Sequence, residues 1–401
     1  MEILAPAGNL EKIKYALAYG ADAVYAGSQS FSLRANADNL DSNDLLSAVN
    51  YCHSKGKKLF IPLNIYAHNK HIESIKVYIK LLNDIKVDAV IVSDLGIFDL
   101  VKNIAPEIPI HISTQANVTS YNTVKVFHRL GAKRIILARE LTFSEIQEIR
   151  QKCPDIELEI FVHGAMCISY SGRCLISAYI NNRSANRGEC THPCRWKYAL
   201  VEESRPSEYF PIEEDSNGFY FMNSKDLCLI NRLKEIYDAG INSVKIEGRM
   251  KSLYYISAVT RAYKQSLLEI MNNKSIDDYW INELSKISHR IYTEAFFDEF
   301  NTNYTQNYET AQYNREWQFV GTFINNQDSN HVYLVKSYGK ITREETIELI
   351  FPDRHFDLEI ANPILYDENM NEIDFTKPNT CFYIKVEKEV PDYGIIRKKL
   401  L

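Results

Sequence analysis

The chain has 401 residues and a net charge of −6, with 46 Lys and Arg against 52 Asp and Glu, a balance that gives no global pull toward nucleic acid. Hydrophobic residues make up 45%, enough for a large core. No apolar run approaches the roughly 20 residues of a membrane span, which excludes a membrane-embedded helical protein. The opening Met1-Glu2-Ile3-Leu4-Ala5-Pro6 runs straight into a strand pattern and does not resemble a signal peptide, so a cytoplasmic protein is expected.

Short apolar runs alternate with helical periodicity over residues 1–250. Strands are predicted at 2–5, 22–26, 58–65, 88–93, 110–114, 134–138, 157–163 and 243–247. Repeated βα units call for a parallel sheet covered on both faces. Eight units of this size match an α/β fold of the TIM type, a (β/α)8 barrel over 1–300. A doubly wound dinucleotide fold lacks support, because no G-x-G-x-x-G follows the first strand. In such a barrel the chemistry sits at the C-terminal strand ends. Residues there are Pro6, Asn64, Tyr66, Asp94, Gln115, Arg139, Glu140, His163, Glu247 and Arg249.

The stretch 164–242 is far too long for one βα unit and reads as an insert over the barrel mouth. Helices are predicted at 252–273 and near 279–290, followed by a polar linker at 301–317. From 318 to 401 period-two alternation takes over, with strands at 319–323, 331–335, 346–350 and 381–386. This region is expected to be a small all-β, barrel-like domain.

Five of the eight cysteines, Cys167, Cys174, Cys190, Cys194 and Cys228, fall inside the insert. In a reducing compartment, clustered thiols bind a metal or carry redox chemistry more often than they form structural disulfides. Only Cys190 and Cys194, with His192 between them, approach the paired spacing of structural zinc. Iron–sulfur clusters accept wider, irregular spacing if four thiolates converge, so the pattern favours them over zinc. One thiol is then surplus, as an alternative ligand, a persulfide carrier or a core residue. The same segment is basic, with Arg173, Arg183, Arg187, Arg195 and Lys197 against Glu189 alone, interleaved with Tyr170, Tyr179, Trp196 and Tyr198. Cations among aromatics suit a phosphate backbone and stacked bases. The bland alternative is a loop that offsets the charge of a thiolate cluster.

The run from Glu159 to Ser177, through Val162-His163-Gly164-Ala165-Met166-Cys167 and Gly172-Arg173-Cys174, closely resembles the signature of the U32 peptidase-like (collagenase-like) family. Further agreement comes from Leu4-Ala5-Pro6-Ala7-Gly8, Ser113-Thr114-Gln115, Arg187-Gly188-Glu189-Cys190, Asn223-Ser224-Lys225-Asp226-Leu227-Cys228 and Lys245-Ile246-Glu247-Gly248-Arg249. The likeness is strongest to the branch with a C-terminal β domain, implicated in making 5-hydroxyuridine at the wobble position of tRNA. That resemblance implies a [4Fe–4S] cluster on Cys167, Cys174, Cys190 and Cys228, with Cys194 as the alternative ligand. It also implies prephenate, not dioxygen, as the hydroxyl donor. Implied partners are tRNA and the iron–sulfur assembly machinery, with a paralogous family member as a further candidate.

A dicarboxylate donor needs arginine forks, and Arg34, Arg139 and Arg249 are the candidates. His163 and Glu247 are the candidate acid–base pair. Arg183, Arg187, Arg195 and Lys197 are expected to meet RNA, with the β domain adding contacts. A peptidase is the rival reading. The chain has neither H-E-x-x-H nor G-x-S-x-G, so a nucleophile would have to be Cys167 with His163 as its partner. A non-enzymatic RNA-binding scaffold is the third.

Overall fold

The computed structural model describes residues 1–27, 40–167, 169–181, 183, 186, 190–191, 193–195, 200–201, 209–210, 224–299, 313–325 and 331–400. The first six βα units follow in strict alternation. They comprise β1 (Glu2–Ala7), α1 (Leu10–Ala18), β2 (Ala23–Ala26), α2 (Ser42–Ser54), β3 (Lys58–Leu63), α3 (Ile72–Asp84), β4 (Ala89–Val92), α4 (Leu95–Ile104), β5 (Ile110–Ile112), α5 (Tyr121–Leu130), β6 (Arg134–Ile136) and α6 (Phe143–Lys152). Side-chain caps fix most helix starts. Asp94 accepts from Ile97 N at 3.0 Å at the head of α4. Thr142 and Glu145 form a reciprocal capping box on α6.

The chain continues through β7 (Glu157–Ala165), α7 (Ile176–Asn181), a two-residue ladder of β8 (Leu200–Val201) with β9 (Tyr209–Phe210), and β10 (Asp226–Cys228). Then come α8 (Leu233–Asp238), β11 (Ser243–Ile246), α9 (Leu253–Met271), α10 (Asp278–Ser285) and β12 (Tyr292–Thr293). Strands β1 to β7 pair in parallel in chain order, and β11 bonds to both β1 and β7, closing an eight-stranded barrel. All eight predicted barrel strands are present. The insert is shorter than expected, since β7 runs on to Ala165 and β10 rejoins the sheet by pairing antiparallel with the end of β7. Among the described residues no helix is long and apolar enough to cross a membrane.

The second unit is a seven-stranded antiparallel sheet of β13 (Trp317–Asn325), β14 (Val332–Ser337), β15 (Thr346–Ile350), β16 (Leu358–Ala361), β17 (Leu365–Tyr366), β18 (Cys381–Lys385) and β19 (Ile395–Lys399). The pairing order is β16-β15-β19-β13-β14-β18-β17. Its ladder leaves β16 and β17 as edges among the described residues, and the expected small all-β domain is present as this antiparallel sheet. Strands β16, β17 and β19 carry no period-two signal strong enough to announce them. Two are very short, and β19 reads Ile-Ile-Arg-Lys-Lys, with Arg397 and Lys398 buried as ion pairs.

The two units share one interface, centred on α9. Fourteen of its 19 residues are buried, because it packs on the barrel with one face and on the β domain with another. Tyr19 donates its hydroxyl to the carbonyls of Ile350 and Tyr393 at 3.0 and 2.9 Å. Arg261 donates to Phe351 O at 2.6 Å and pairs with Glu283 and Asp357. Arg397 pairs with Glu283 and Glu348, both at 2.6 Å. Glu283 thus lies between two arginines whose side chains are 1% exposed, and their charges hold its carboxyl below the usual range against the opposing effect of burial. Glu283→Ala is expected to lower stability by about 3–5 kcal/mol, because two buried guanidiniums lose their shared anion. A urea titration of the full chain measures this. An unchanged midpoint would show that Glu348 and Asp357 suffice.

Candidate active site at the barrel mouth

A cavity of about 830 Å³ opens at the C-terminal ends of the barrel strands. Three groups of side chains wall it. On the side of β3 and β5 stand Asn64, Ser113, Thr114 and Gln115, all uncharged. After β6 and along β11 stand Arg139, Lys245, Glu247 and Arg249. The insert adds Cys167, Cys174, Cys190 and Cys194, and the β domain and its approach add Tyr313, Arg315, Trp317 and Phe319.

The seam between β7 and β11 decides which residues face inward. Lys245 pairs with Phe161, but Ile246 pairs with His163, so Val162 is an extra residue in β7. A bulge of this kind reverses the inside–outside alternation beyond it. Phe161 therefore faces the cavity while His163 turns outward against α9 and β12. Its ring lies 5.6 Å from that of Tyr263 and 5.4 Å from that of Tyr292. Its Nδ1 is 3.4 Å from the Tyr263 hydroxyl. Burial pushes its pKa down to about 3, so it is neutral. The expectation that His163 sits on the rim as an acid–base group is corrected by this bulge.

Just beyond, Gly164 has φ +112, and a Cβ there would fall 2.5 Å from the carbonyl oxygen of Glu247. Only glycine lets the β11–α9 turn come this close. Glu247 reaches Arg139 at 3.5 Å. Arg139 also donates to Ala165 O at 3.0 Å, and its guanidinium lies 3.8 Å from the Phe161 ring centroid. Its Nε has no hydrogen-bond partner among the described residues. Arg249 lines the cavity and is 4% exposed.

Lys245 was missed in the sequence. Its Nζ lies 3.4 Å from Glu159 and 4.2 Å from the Tyr25 ring centroid. Burial pushes its pKa down, opposed by Glu159 and Glu247. Period two was the available signal: if Glu247 faces inward, so does Lys245.

Of the predicted ligands, Cys167, Cys174 and Cys190 open on the cavity, and Cys194 joins them. Burial raises the pKa of Cys167; Arg139 draws it down, while Cys174 and Cys190 push it up, so the three thiols feel one another. Cys228 is placed differently. It pairs with His163 in the β10–β7 ladder, and its Sγ is 3.9 Å from the Tyr263 hydroxyl. Burial pushes its pKa up to about 11. No disulfide joins any of the eight cysteines. Among the described residues no three His, Cys, Asp or Glu side chains crowd closely enough to hold one metal ion. Several thiols opening on one partly buried cavity do match the donor chemistry of an iron–sulfur cluster, whose ligands stand further apart.

Glu140 anchors the insert to the rim, accepting from Ser171 N at 2.5 Å and Ser171 Oγ at 2.7 Å. Arg173 does the same from the other side, donating to Gln115 O at 2.9 Å. Of the expected RNA contacts, Arg183 is exposed, and Arg195 ends the turn Pro193–Arg195. Arg187 and Lys197 lie outside the described residues, as does the substrate candidate Arg34. Cations of the barrel meet rings at the approach to the β domain instead. Lys251 lies 5.0 Å from the Tyr255 ring centroid and 4.8 Å from that of Tyr313. Lys286 lies 4.7 Å from that of Trp317.

The family model for peptidase family U32 matches residues 8–307, and that for the peptidase family U32 C-terminal domain matches 315–397. The chain belongs to the U32 family. It is similar to tRNA hydroxylation protein P1 of Bacillus subtilis, 34% identical over 99% of this chain and 94% of that protein. It is also similar to tRNA hydroxylation protein P of Escherichia coli, 37% identical over 90% of this chain and 88% of that protein. A collagenase of Porphyromonas gingivalis is 30% identical over 75% of this chain and 73% of that protein.

Gly164→Ala is expected to destabilise this U32 chain by about 1–3 kcal/mol through its positive φ alone. The clash with Glu247 should add to that and move the cavity wall. Urea unfolding reads the first effect. An unaltered midpoint would mean that the seam relaxes around the new methyl.

Proposed function

We propose that the chain hydroxylates uridine at C5 at the wobble position of tRNA. In this reading the hydroxyl comes from an acidic co-substrate, with prephenate the foremost candidate, and not from dioxygen. A [4Fe–4S] cluster held by the insert takes part. The observation that carries the reading is the cavity itself. Thiols, a cationic wall and a neutral wall converge on one cavity, in a chain whose tRNA-hydroxylation relatives match both of its units.

The residues divide the work. Arg139 and Arg249 would take the carboxylates of the co-substrate, with Lys245 supplying further positive charge from the cavity floor. Glu247 orients Arg139 and is the proton-accepting group on that wall. Phe161, Tyr255 and Trp317 keep the space dry, which strengthens each charged contact. Cys167, Cys174 and Cys190 would hold the cluster, with either Cys194 or Cys228 as the fourth thiolate. When bound, such a cluster supplies electron transfer or a Lewis-acidic iron. RNA would cross the rim over Arg183 and the Lys251–Tyr313 and Lys286–Trp317 pairs, with affinity falling as salt rises.

The peptidase reading is weaker on geometry. Cys167 lines the cavity but His163, its only proposed base, lies behind the barrel wall. A non-enzymatic scaffold would leave the cationic wall of the cavity without a role.

Nucleoside mass spectrometry of tRNA from a deletion strain tests the function. Loss of 5-hydroxyuridine and its derivatives, restored by the intact gene, is the expected result; an unchanged profile would reject it. Iron and acid-labile sulfide are expected at about four each per chain in anaerobic protein. Cys167→Ala, Cys174→Ala and Cys190→Ala should each lose most of both. Whichever of Cys194→Ala and Cys228→Ala also loses iron identifies the fourth ligand. Stoichiometric zinc without sulfide would sink the cluster.

A further inference from the structure

The neutral wall carries hydrogen-bonding capacity that the protein itself does not use. Asn64 follows β3, and Ser113 and Gln115 follow β5. Ser113 and Gln115 are 3% and 9% exposed, and all three line the cavity. Their backbone is pinned. Gln115 N donates to Ser113 Oγ at 3.3 Å, and Gln115 O accepts from Arg173 at 2.9 Å. The neighbouring Thr114 hydroxyl donates to Leu137 O at 3.0 Å. Asn64 Nδ2 donates weakly to Ser113 Oγ at 3.5 Å. Yet Asn64 Oδ1 and Gln115 Oε1 are buried and have no hydrogen-bond partner among the described residues. Leaving such a buried acceptor unpaired forfeits the hydrogen bond it would make to water. Two rigidly presented on one cavity wall call for a ligand that donates.

The donor must be neutral and planar to suit a pair of amides. A uracil ring fits: its imide N3–H lies between two carbonyls, and a carboxamide accepts from the first while donating to the second. Position on the barrel adds a second argument. In the closed strand order, β3 stands across the barrel from β7, and β4, between β3 and β5, stands across from β11. N3 and C6 are para to each other in the pyrimidine ring. A base held at N3 and O2 by the neutral wall therefore turns its C5–C6 edge, the ring bond opposite C2–N3, toward Lys245 and Glu247.

We propose that Asn64, Ser113 and Gln115 form the site that reads the Watson–Crick edge of the target pyrimidine, extruded from the RNA into the cavity. The site presents C5 to the opposite, cationic wall, where the acidic co-substrate binds. The proposal rests on the RNA-hydroxylase reading and adds the residues that select the base. It also accounts for why one wall is uncharged: a charge there would compete with the base edge and attract the co-substrate to the wrong side.

The test measures binding of full-length protein to an anticodon stem-loop RNA carrying uridine, 3-methyluridine or an abasic site at the wobble position. Methylation removes the N3–H and nothing else on that edge. Wild type is expected to bind the uridine RNA about tenfold or more tightly than the 3-methyluridine RNA. Asn64→Leu and Gln115→Met should bring the two to parity, with the abasic RNA bound as by wild type, which certifies the fold. If a variant does not fold, the wild-type comparison still decides. Equal wild-type affinity for uridine and 3-methyluridine RNA overturns the proposal, and so do variants that keep full discrimination. Failure of the underlying reading looks different: wild type would then fail to restore 5-hydroxyuridine in the deletion strain, whatever its base preference.

Discussion

The seam between β7 and β11 is the constraint on which the site depends. Closing the barrel requires these strands to pair, and pairing them with one residue to spare in β7 forces the bulge at Val162. Three consequences follow. Phe161 and Lys245 face the cavity together. His163 leaves it for an aromatic cage against α9. Gly164 admits the Glu247 carbonyl so closely that no side chain could stand between them. The same strand end then launches the insert and receives β10, so the thiols inherit their position from the seam.

A second constraint welds the β domain to the barrel. Arg261 and Arg397 are buried on either side of Glu283, with Asp357 and Glu348 completing their neutralisation. Buried ion pairs contribute little net stability compared with apolar packing, but breaking one is costly, so they specify a single docking geometry. Ile350 and Ile395 extend the barrel core into the second sheet. The β domain is thus held rigidly enough for Trp317 and Phe319 to act as walls of the cavity. Deleting it would strip the barrel of buried partners, so its role in binding is best probed by point substitutions.

The cavity is chemically divided. Its cationic wall suits a doubly acidic small molecule, its amide wall a neutral heterocycle, and its thiols a cluster. Division of this kind serves a two-substrate reaction, because each wall rejects the other's ligand. It also separates this site from that of a thiol protease, where the nucleophile and its base must share one hydrogen bond. Here the thiol and the imidazole lie on opposite sides of a strand.

Much of this was legible in the sequence. Eight apolar runs at βα spacing specified the barrel, because parallel strands buried on both faces must read as continuous hydrophobic segments. Clustered cysteines in a long strand-seven insert pointed to thiols over the mouth, four of which line the cavity, and the strand-end rule singled out Asn64, Gln115, Arg139, Glu140, Glu247 and Arg249, which line it too. The facing of His163 was not legible, since a bulge is a property of two paired strands and neither strand encodes it alone. Nor was the pairing of Cys228 with His163, which depends on β10 folding back along β7. The short strands β16 and β17 escaped notice because cross-strand partners, not local periodicity, hold them in place. The sequence by itself determined the elements, their order and the kinds of chemistry available. Only the tertiary structure decided which polar groups meet, because strand register, the bulge and the interdomain ion pairs arise from contacts between residues distant in the chain.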